Sequence, residues 1–263
     1  MARFCPLFSG SSGNCTYVGN RDCGILVDAG GTTKNIELAL RQIDVEMKQI
    51  LGVVITHEHS DHVKALPVLT KRYQLPVYGT QGTLSALVRA GSIAPESPLH
   101  VMNGKSEAVG DFYVKAFHTS HDAAESCGYV IHLPDGRRVA IATDMGYVSD
   151  EVREHITGCD LVMIESNHDV RMLQNGRYPY YLKRRILGTS GHLSNDACAE
   201  EVARLAQTGT TRFVLAHLSQ DNNLPELAQQ TAAASLCALG CVEGVDYELS
   251  VARRLAVSDM TVF

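Results

Sequence analysis

The stretch Thr-His-Glu-His-Ser-Asp-His at residues 56–62 follows directly on the apolar segment Ile-Leu-Gly-Val-Val-Ile at residues 50–55. That segment has the length and the β-branched content of a buried strand. His57 and His59 are two residues apart, so at the end of an extended strand their side chains point to the same side. The sequence therefore predicts a strand that ends in two converging imidazoles.

Asp61 and His62 begin the helix that we expect after this strand, and they add a carboxylate and a third imidazole at the same point. Three imidazoles and one carboxylate so close together are the ligands that a pair of divalent metal ions requires. Glu58 points the opposite way along the strand and is not expected to be a ligand. The alternative interpretation is a solvated polar loop that is rich in histidine by chance.

Three later apolar segments also end in His or Asp, and one loop cannot complete the coordination shells of two metal ions. Loops at strand ends collect functional groups, so these residues become candidate ligands. They are His118 or His121 after residues 112–117, Asp144 after residues 137–142, and His217 after residues 212–216. Considered alone, Asp144 and His217 would be ordinary capping or surface residues; behind the first motif, we expect them to bind metal.

The composition is that of an ordinary globular protein. Hydrophobic residues make up 45% and charged residues 20% of the 263 residues, which excludes wholesale disorder. The net charge of −6 gives no global attraction to nucleic acid or to anionic lipid, so binding of a polyanion needs a local basic patch. The apolar segments are far shorter than a membrane span, and no membrane partner is expected.

The cysteines and the first residues bear on the cellular compartment. The eight cysteines contain no Cys-x-x-Cys pair, and in a chain of this length we expect buried thiols of a reducing compartment. A disulfide framework is the alternative. Residues 1–14 contain no apolar core of signal-peptide length, so a cytoplasmic location is expected.

Strand-like apolar segments alternate with amphipathic stretches along the chain, without a repeat or a low-complexity linker. The apolar periodicity predicts helices at residues 33–42, 62–72, 80–90, 179–187, 194–207 and 224–239. Strands occur in both halves, and helices close each half. This pattern predicts an α/β (α+β) fold with two sheets packed between outer helices, a four-layer αββα sandwich, as one domain over residues 1–263.

The order of these motifs closely resembles the metallo-β-lactamase fold superfamily, from Leu-Val-Asp-Ala-Gly at residues 26–30 to His217. The resemblance implies one metal ion bound by His57, His59 and His121 and a second bound by Asp61, His62 and His217, with Asp144 bridging them. His118 competes with His121 for its place. We prefer His121 because Thr-Ser-His-Asp at residues 119–122 looks like the third-ligand loop of the family.

Such a site of nitrogen and oxygen ligands permits zinc or manganese, whereas a thiolate-rich site would have favoured zinc. The charges of two divalent ions exceed those of Asp61, Asp144 and a bridging hydroxide by about one positive charge. A site of this charge attracts anions and suits a nucleophile generated by lowering the pKa of bound water. We therefore expect two divalent metal ions, Zn or Mn, and an anionic substrate.

Residues 188–217 favour a nuclease among the activities of this fold, which also hosts lactonases, thioesterases and redox proteins. Gly-Thr-Ser-Gly-His-Leu-Ser at residues 188–194 looks like the end of the ribonuclease J-type nucleases, in which a histidine after Ser-Gly holds the scissile phosphate. His192 occupies that place, where an imidazole is suited to bind phosphate or to protonate a leaving oxygen. The alternative is a histidine that merely ends a loop.

Five further residues are expected to contact substrate or to support the ligands: Asp28, Glu165, Asn167, His168 and Ser190. Glu165 is suited to hold a ligand imidazole through its second ring nitrogen. Asn167 and His168 lie in the same loop after the strand at residues 160–164, where they could touch substrate. For these three residues a purely structural role is the alternative.

The chain has no room for the inserted β-CASP domain of ribonuclease J-type enzymes, and its motifs look most like the compact YycJ/WalJ-type branch. Members of that branch are described as DNA exonucleases that act from the 5′ end. The resemblance implies a dinuclear metal-dependent phosphodiesterase with a metal-bridged hydroxide as nucleophile, His192 on the phosphate, and Asp61 relaying a proton. The alternatives are a hydrolase of a small ester, thioester or cyclic phosphodiester, a ribonuclease, and a non-catalytic metal-binding partner.

Basic residues around an aromatic cluster are consistent with DNA as the partner. Arg177, Lys183, Arg184 and Arg185 flank Tyr-Pro-Tyr-Tyr at residues 178–181. Aromatic rings beside cations form the kind of surface on which single strands stack. The alternative is a solvated helix face with its tyrosines packed inward, and the sequence leaves the oligomeric state open.

Overall fold

The computed structural model describes residues 1–94 and 96–263 and contains two seven-stranded sheets. The strands of the first sheet are β1 (Arg3–Phe8), β2 (Cys15–Gly19), β3 (Gly24–Val27), β4 (Ile50–Val54), β5 (Val77–Gly79), β6 (Leu99–Val101) and β14 (Thr261–Val262). The strands of the second are β7 (Glu107–Val109), β8 (Phe112–His118), β9 (Cys127–His132), β10 (Arg138–Ala142), β11 (Leu161–Glu165), β12 (Arg212–Ala216) and β13 (Glu248–Val251). Their spatial orders are β14-β1-β2-β3-β4-β5-β6 and β13-β12-β11-β10-β9-β8-β7.

Helices lie between these strands along the chain. They are α1 (Thr33–Gln42), α2 (Ser60–Val63), α3 (Leu66–Tyr73), α4 (Gln81–Arg89), α5 (Asp150–Ile156), α6 (Val170–Asn175), α7 (Tyr180–Ile186), α8 (Asn195–Gln207) and α9 (Pro225–Ala238). Two mixed sheets with helices between their strands confirm the predicted α/β class. Within the described ranges, we find no helix that combines the length and the apolar character needed to cross a bilayer.

The chain divides into two compact units. The first comprises Met1–Ala116, Ala123–Arg137 and Arg253–Phe263, and the second comprises Phe117–Asp122 and Arg138–Ala252. Parallel strands alternate with helices in each unit, from β3 to β6 in the first and from β10 to β13 in the second. Parallel strands joined by helices end at the same edge of their sheet, so the residues that follow them lie close together.

β4 lies between β3 and β5 and supports the His-rich stretch that follows it. Val53, Val54 and Ile55 are fully buried. Since successive residues of a strand point to opposite faces, both faces of β4 are covered at this end. Burial of each of these side chains stabilises the fold by about 1.5–3 kcal/mol. The first metal-ligand motif therefore begins on a rigid part of the core.

α8 forms where its sequence signals predict a helix. Ser194 is the N-cap, and its hydroxyl accepts a hydrogen bond from Ala197 N at 3.2 Å. Cys198, Val202 and Leu205 follow at helical spacing and are fully buried. A polar cap followed by one apolar face favours a helix, and the predicted helix is confirmed.

The helix predicted at residues 62–72 is wrong as a single element, because the structure contains α2 and α3 in its place. Ala65, between them, donates its backbone N–H to Ala29 O at 2.8 Å and not to a carbonyl of its own helix. Pro67, which has no N–H to donate, stands at the start of α3. The break lets the chain after the His-rich stretch pack against the loop that follows β3.

Candidate active site

The His-rich stretch of the first unit is held by the end of β4. His57 is buried, and His59 occupies the N-cap of α2 in an extended conformation. His57 Nε2 and His59 Nδ1 lie 3.1 Å apart. Two nitrogen ligands of one metal ion are about 3 Å apart when each metal–nitrogen bond is about 2 Å. The two imidazoles therefore have the spacing of two ligands of one ion.

Asp28 holds the ring of His62. It follows β3, which runs parallel to β4, so its carboxylate reaches the chain that leaves β4. Asp28 Oδ1 accepts a hydrogen bond from Thr56 N at 2.8 Å, and Oδ2 lies 2.8 Å from His62 Nδ1. Thr56 Oγ1 donates to Oδ2 at 2.9 Å. A carboxylate on one ring nitrogen orients an imidazole so that the other nitrogen can bind metal, which makes Asp28 a supporting residue.

Asn14 is a contact residue of this cluster that the ligand motifs do not indicate. Its Nδ2 lies 3.0 Å from His62 Nε2 and 3.3 Å from Asp61 Oδ2. Gly30 is packed closely against the backbone of Asp61: a Cβ at residue 30 would lie 1.6 Å from Asp61 O. Asn14 ends the turn-rich segment Ser-Gly-Ser-Ser-Gly-Asn at residues 9–14, which indicates a turn but not this contact.

A second cluster lies in the second unit, where four residues each offer one ligand atom within 4.8 Å of the others: Asp144, Glu165, His192 and His217. Three of them follow or end the parallel neighbours β10, β11 and β12. Asp144 and His217 have φ angles of 58° and 57°, and Asp28 has a φ of 62°. Residues other than glycine rarely adopt this left-handed conformation, and where they do, the strain is concentrated at functional sites.

Glu165 joins the members of this cluster. Its Oε1 lies 2.8 Å from Nδ1 of both His192 and His217, and its Oε2 accepts from Met145 N at 2.9 Å and from Leu193 N at 3.2 Å. Burial by itself would raise the pKa of the fully buried Glu165 carboxyl, but the charges and hydrogen bonds of the two imidazoles hold that pKa well below its usual range. Glu165 is therefore an anion that fixes both rings.

His192 is the member of this cluster that reaches solvent. Its side chain is 17% exposed, compared with 6% for His217, 3% for Asp144 and 0% for Glu165. Because Glu165 holds Nδ1 of His192, the opposite ring nitrogen, Nε2, is turned away from the carboxylate. His192 is consequently the residue of this cluster that is placed to touch a bound molecule.

His121 lies beside Asp144, whereas the side chain of His118 is exposed. Nδ1 of His121 donates to Gly191 O at 3.2 Å, and Nε2 lies 3.9 Å from Asp144 Oδ1. Burial lowers the pKa of His121, and the Asp144 carboxylate offsets part of this effect. The neutral imidazole that burial favours is the form that binds metal.

The other predicted residues have different surroundings. Asn167 Nδ2 donates to His217 O at 2.8 Å, so Asn167 supports the backbone of a candidate ligand. His168 is buried, neither of its ring nitrogens has a hydrogen-bond partner, and burial lowers its pKa to about 4. Ser190 is exposed in the turn before Gly191. Neither His168 nor Ser190 makes a hydrogen bond to the cluster around Glu165 among the contacts described.

Four imidazoles of the two units share the geometry of metal-ligating histidines. Nδ1 of each has a partner on the protein: Thr56 Oγ1 at 3.0 Å for His57, Asp28 Oδ2 at 2.8 Å for His62, Gly191 O at 3.2 Å for His121, and Glu165 Oε1 at 2.8 Å for His217. Metal-ligating histidines are held in this way, with the opposite nitrogen directed to the ion. The residues present in each unit therefore fit divalent metal ions.

Comparison with known proteins identifies the family. The family model described as "Beta-lactamase superfamily domain" matches residues 24–218, which include both clusters. The chain belongs to the metallo-β-lactamase superfamily. The crystal structure of the metallo-β-lactamase fold protein YhfI from Bacillus subtilis is similar over 98% of this chain and 100% of that chain, with a TM-score of 0.70 and 16% sequence identity. The predicted metallo-β-lactamase fold is thereby confirmed.

Two relatives are similar over nearly the full length. Exodeoxyribonuclease YycJ from Bacillus anthracis is 41% identical over 247 residues, which cover 94% of this chain and 93% of the relative. Exodeoxyribonuclease WalJ from Streptococcus pneumoniae is 36% identical over 250 residues, with the same coverage. The predicted similarity to the YycJ/WalJ-type branch is confirmed. With the His and carboxylate clusters of this superfamily, the chain is a metal-dependent hydrolase.

Proposed function

We propose that the chain is a DNA exonuclease that degrades strands from the 5′ end with two divalent metal ions. The observation that carries this proposal is the 41% identity, over 94% of the chain, to a relative named as an exodeoxyribonuclease. We infer DNA as the substrate, and exonucleolytic cleavage as the mode of action, from the name of that relative. The 5′ polarity rests on the resemblance of the motifs to the YycJ/WalJ-type branch.

The candidate ligands form two sets, and each set would bind one ion. One ion would be held by His57, His59 and His121, and the other by Asp61, His62 and His217, and Asp144 would serve both. The nitrogen and oxygen donors suit zinc or manganese. Divalent ions bound there would lower the pKa of water and neutralise charge that develops on a phosphate.

His192 binds the scissile phosphate or protonates the leaving oxygen through Nε2. Its Nδ1 is held by Glu165 at 2.8 Å, so the direction of the ring is set before substrate arrives. The Asp61 carboxylate is partly exposed, with 23% of its side chain accessible, and its Oδ2 lies 3.5 Å from His62 Nε2. Oδ2 of Asp61 is therefore placed to relay a proton between the site and solvent.

The function is tested with end-labelled DNA and RNA strands of matched sequence, incubated with protein loaded with Mn²⁺ or with Zn²⁺. We expect mononucleotides to be released from the 5′ end of DNA. A small activated phosphodiester, bis(p-nitrophenyl) phosphate, is assayed in parallel. Intact DNA together with turnover of the small ester, or degradation of RNA alone, would contradict the proposal.

His192→Ala separates the role of this imidazole from metal binding. Loss of a group that assists proton transfer or holds the phosphate lowers kcat on DNA by about 10²–10³-fold. The metal content of the variant, measured by mass spectrometry of the metals, should equal that of the wild type. His118→Ala, which removes an exposed imidazole, is the matched control and should retain full activity. Equal activity of the His192 variant and the control would exclude this role.

A further inference from the structure

One segment of the second unit has a charge opposite to that of the whole chain. Residues 170–187 contain Arg171, Arg177, Lys183, Arg184 and Arg185 and no Asp or Glu, in a protein with a net charge of −6. The segment includes α6 and α7 and leads directly to the turn before His192. A concentrated positive charge in an acidic protein attracts polyanions to this one place.

Two aromatic rings project from the same segment. Tyr180 and Tyr181 are 75% and 74% exposed, so the interpretation of inward-packed tyrosines is wrong for both. Arg184 is one helical turn from Tyr180, and its guanidinium lies 6.0 Å from the centre of that ring. Exposure of two adjacent tyrosines costs hydrophobic stabilisation unless the rings have a partner of their own.

The contacts of α7 connect these rings to the candidate active site. Arg185 donates two hydrogen bonds to the Asp122 carboxylate, at 2.6 Å and 3.0 Å, and Asp122 lies next to His121 in the sequence. At the end of α7, His192 N donates to Ile186 O at 3.0 Å. Five residues of helix rise about 7.5 Å along the axis, so Tyr181 lies little more than one helical turn from Ile186, the residue bonded to His192.

We propose that Tyr180, Tyr181 and Arg184 form a stacking platform for single-stranded DNA on its way to His192. This inference rests on the proposed function. The rings receive bases by stacking, and the guanidinium contacts the phosphate between them. A single strand is the occupant because only unpaired bases present their faces to aromatic side chains, and because its phosphates complement the charge of residues 170–187.

The test compares wild type with Tyr180→Ala/Tyr181→Ala and with Arg184→Ala, all loaded with metal. Binding is measured with a fluorescent 20-nucleotide single strand that has cleavage-resistant phosphorothioate linkages. Use of the platform during turnover is measured as a ratio, kcat/KM for an ordinary 20-nucleotide strand divided by kcat/KM for a dinucleotide. Loss of two stacked bases weakens binding of the 20-nucleotide strand by about 100-fold, about tenfold for each ring, and lowers the ratio similarly. Arg184→Ala reduces the dependence of log K on log salt by about 0.7.

Matched controls separate stacking from folding and from other partners. Tyr113→Ala/Arg89→Ala removes an exposed ring and an exposed charge from the first unit and should bind the strand as the wild type does. Tyr180→Phe/Tyr181→Phe keeps the ring faces and should also bind normally. The platform would be overturned if the double alanine variant bound the strand as the wild type does, or if the phenylalanine variant lost binding. It would also be overturned if the protein were a dimer that dissociates on loss of the tyrosines. If DNA stays uncut while the binding loss is observed, the proposed function fails and the platform stands.

Discussion

Asp144→Ala should abolish DNA hydrolysis, with kcat lower by about 10³-fold or more because several kcal/mol of transition-state stabilisation are lost with the metal site. Asp144 Oδ1 lies 3.4 Å from Nδ1 of His217, 3.7 Å from Nδ1 of His192 and 3.9 Å from Nε2 of His121. Asp144 is the carboxylate that we propose the two ions would share, so its removal would take one ligand from both.

The measurement is mononucleotide release from end-labelled DNA, combined with the number of metal ions bound to each chain. We expect the Asp144 variant to retain at most one ion where the wild type retains two. Asp111→Ala removes an exposed carboxylate of the first unit and should change neither quantity. An Asp144→Ala protein that cuts DNA at the wild-type rate would show that the carboxylate is not a ligand required for the reaction.

Glu165→Ala should reduce both stability and metal affinity. The substitution leaves four donors without their acceptor: the buried N–H groups of Met145 and Leu193, the buried ring of His217 and the partly exposed ring of His192. Loss of one partner from a buried charged network lowers the free energy of unfolding by about 3–5 kcal/mol. Loss of the group that orients a ligand imidazole weakens metal binding by about 10–100-fold.

Urea unfolding of the metal-free protein measures the first effect, and titration of the metal-free protein with Mn²⁺ measures the second. Glu154→Ala, which removes an exposed carboxylate from α5, serves as the control and should change the free energy of unfolding by less than about 0.5 kcal/mol. Stability and metal affinity like those of the wild type would mean that Glu165 does not hold the two rings together.

The parts of the fold that follow local patterns could be predicted from the sequence. The apolar run before residues 56–62 predicts β4, and the cap and apolar face of residues 194–205 predict α8. α5 has only Val152 and Ile156 buried and is too short for its periodicity to be distinctive. β14 is two residues long and pairs with β1, at the other end of the chain, so no local pattern indicates it.

The candidate site shows the same division. Histidines and carboxylates at the ends of apolar strands are visible in the sequence, because each follows its own strand. Asn14 and Thr56 are not, because their roles depend on contacts that form only in the folded chain: Asn14 approaches His62 across 48 residues, and Thr56 bonds to the Asp28 carboxylate across 28. The exposure of Tyr180 likewise depends on tertiary packing, which helical periodicity alone could not decide.

Crystals of the manganese-loaded protein, measured at wavelengths on both sides of the manganese absorption edge, would reveal the proposed pair of ions as anomalous peaks. We expect two peaks in each chain, one beside His57, His59 and His121 and the other beside Asp61, His62 and His217, with Asp144 next to both. A single peak would contradict the two-metal assignment. Metal ions bound by other residues, while these imidazoles keep their present contacts, would contradict it as well.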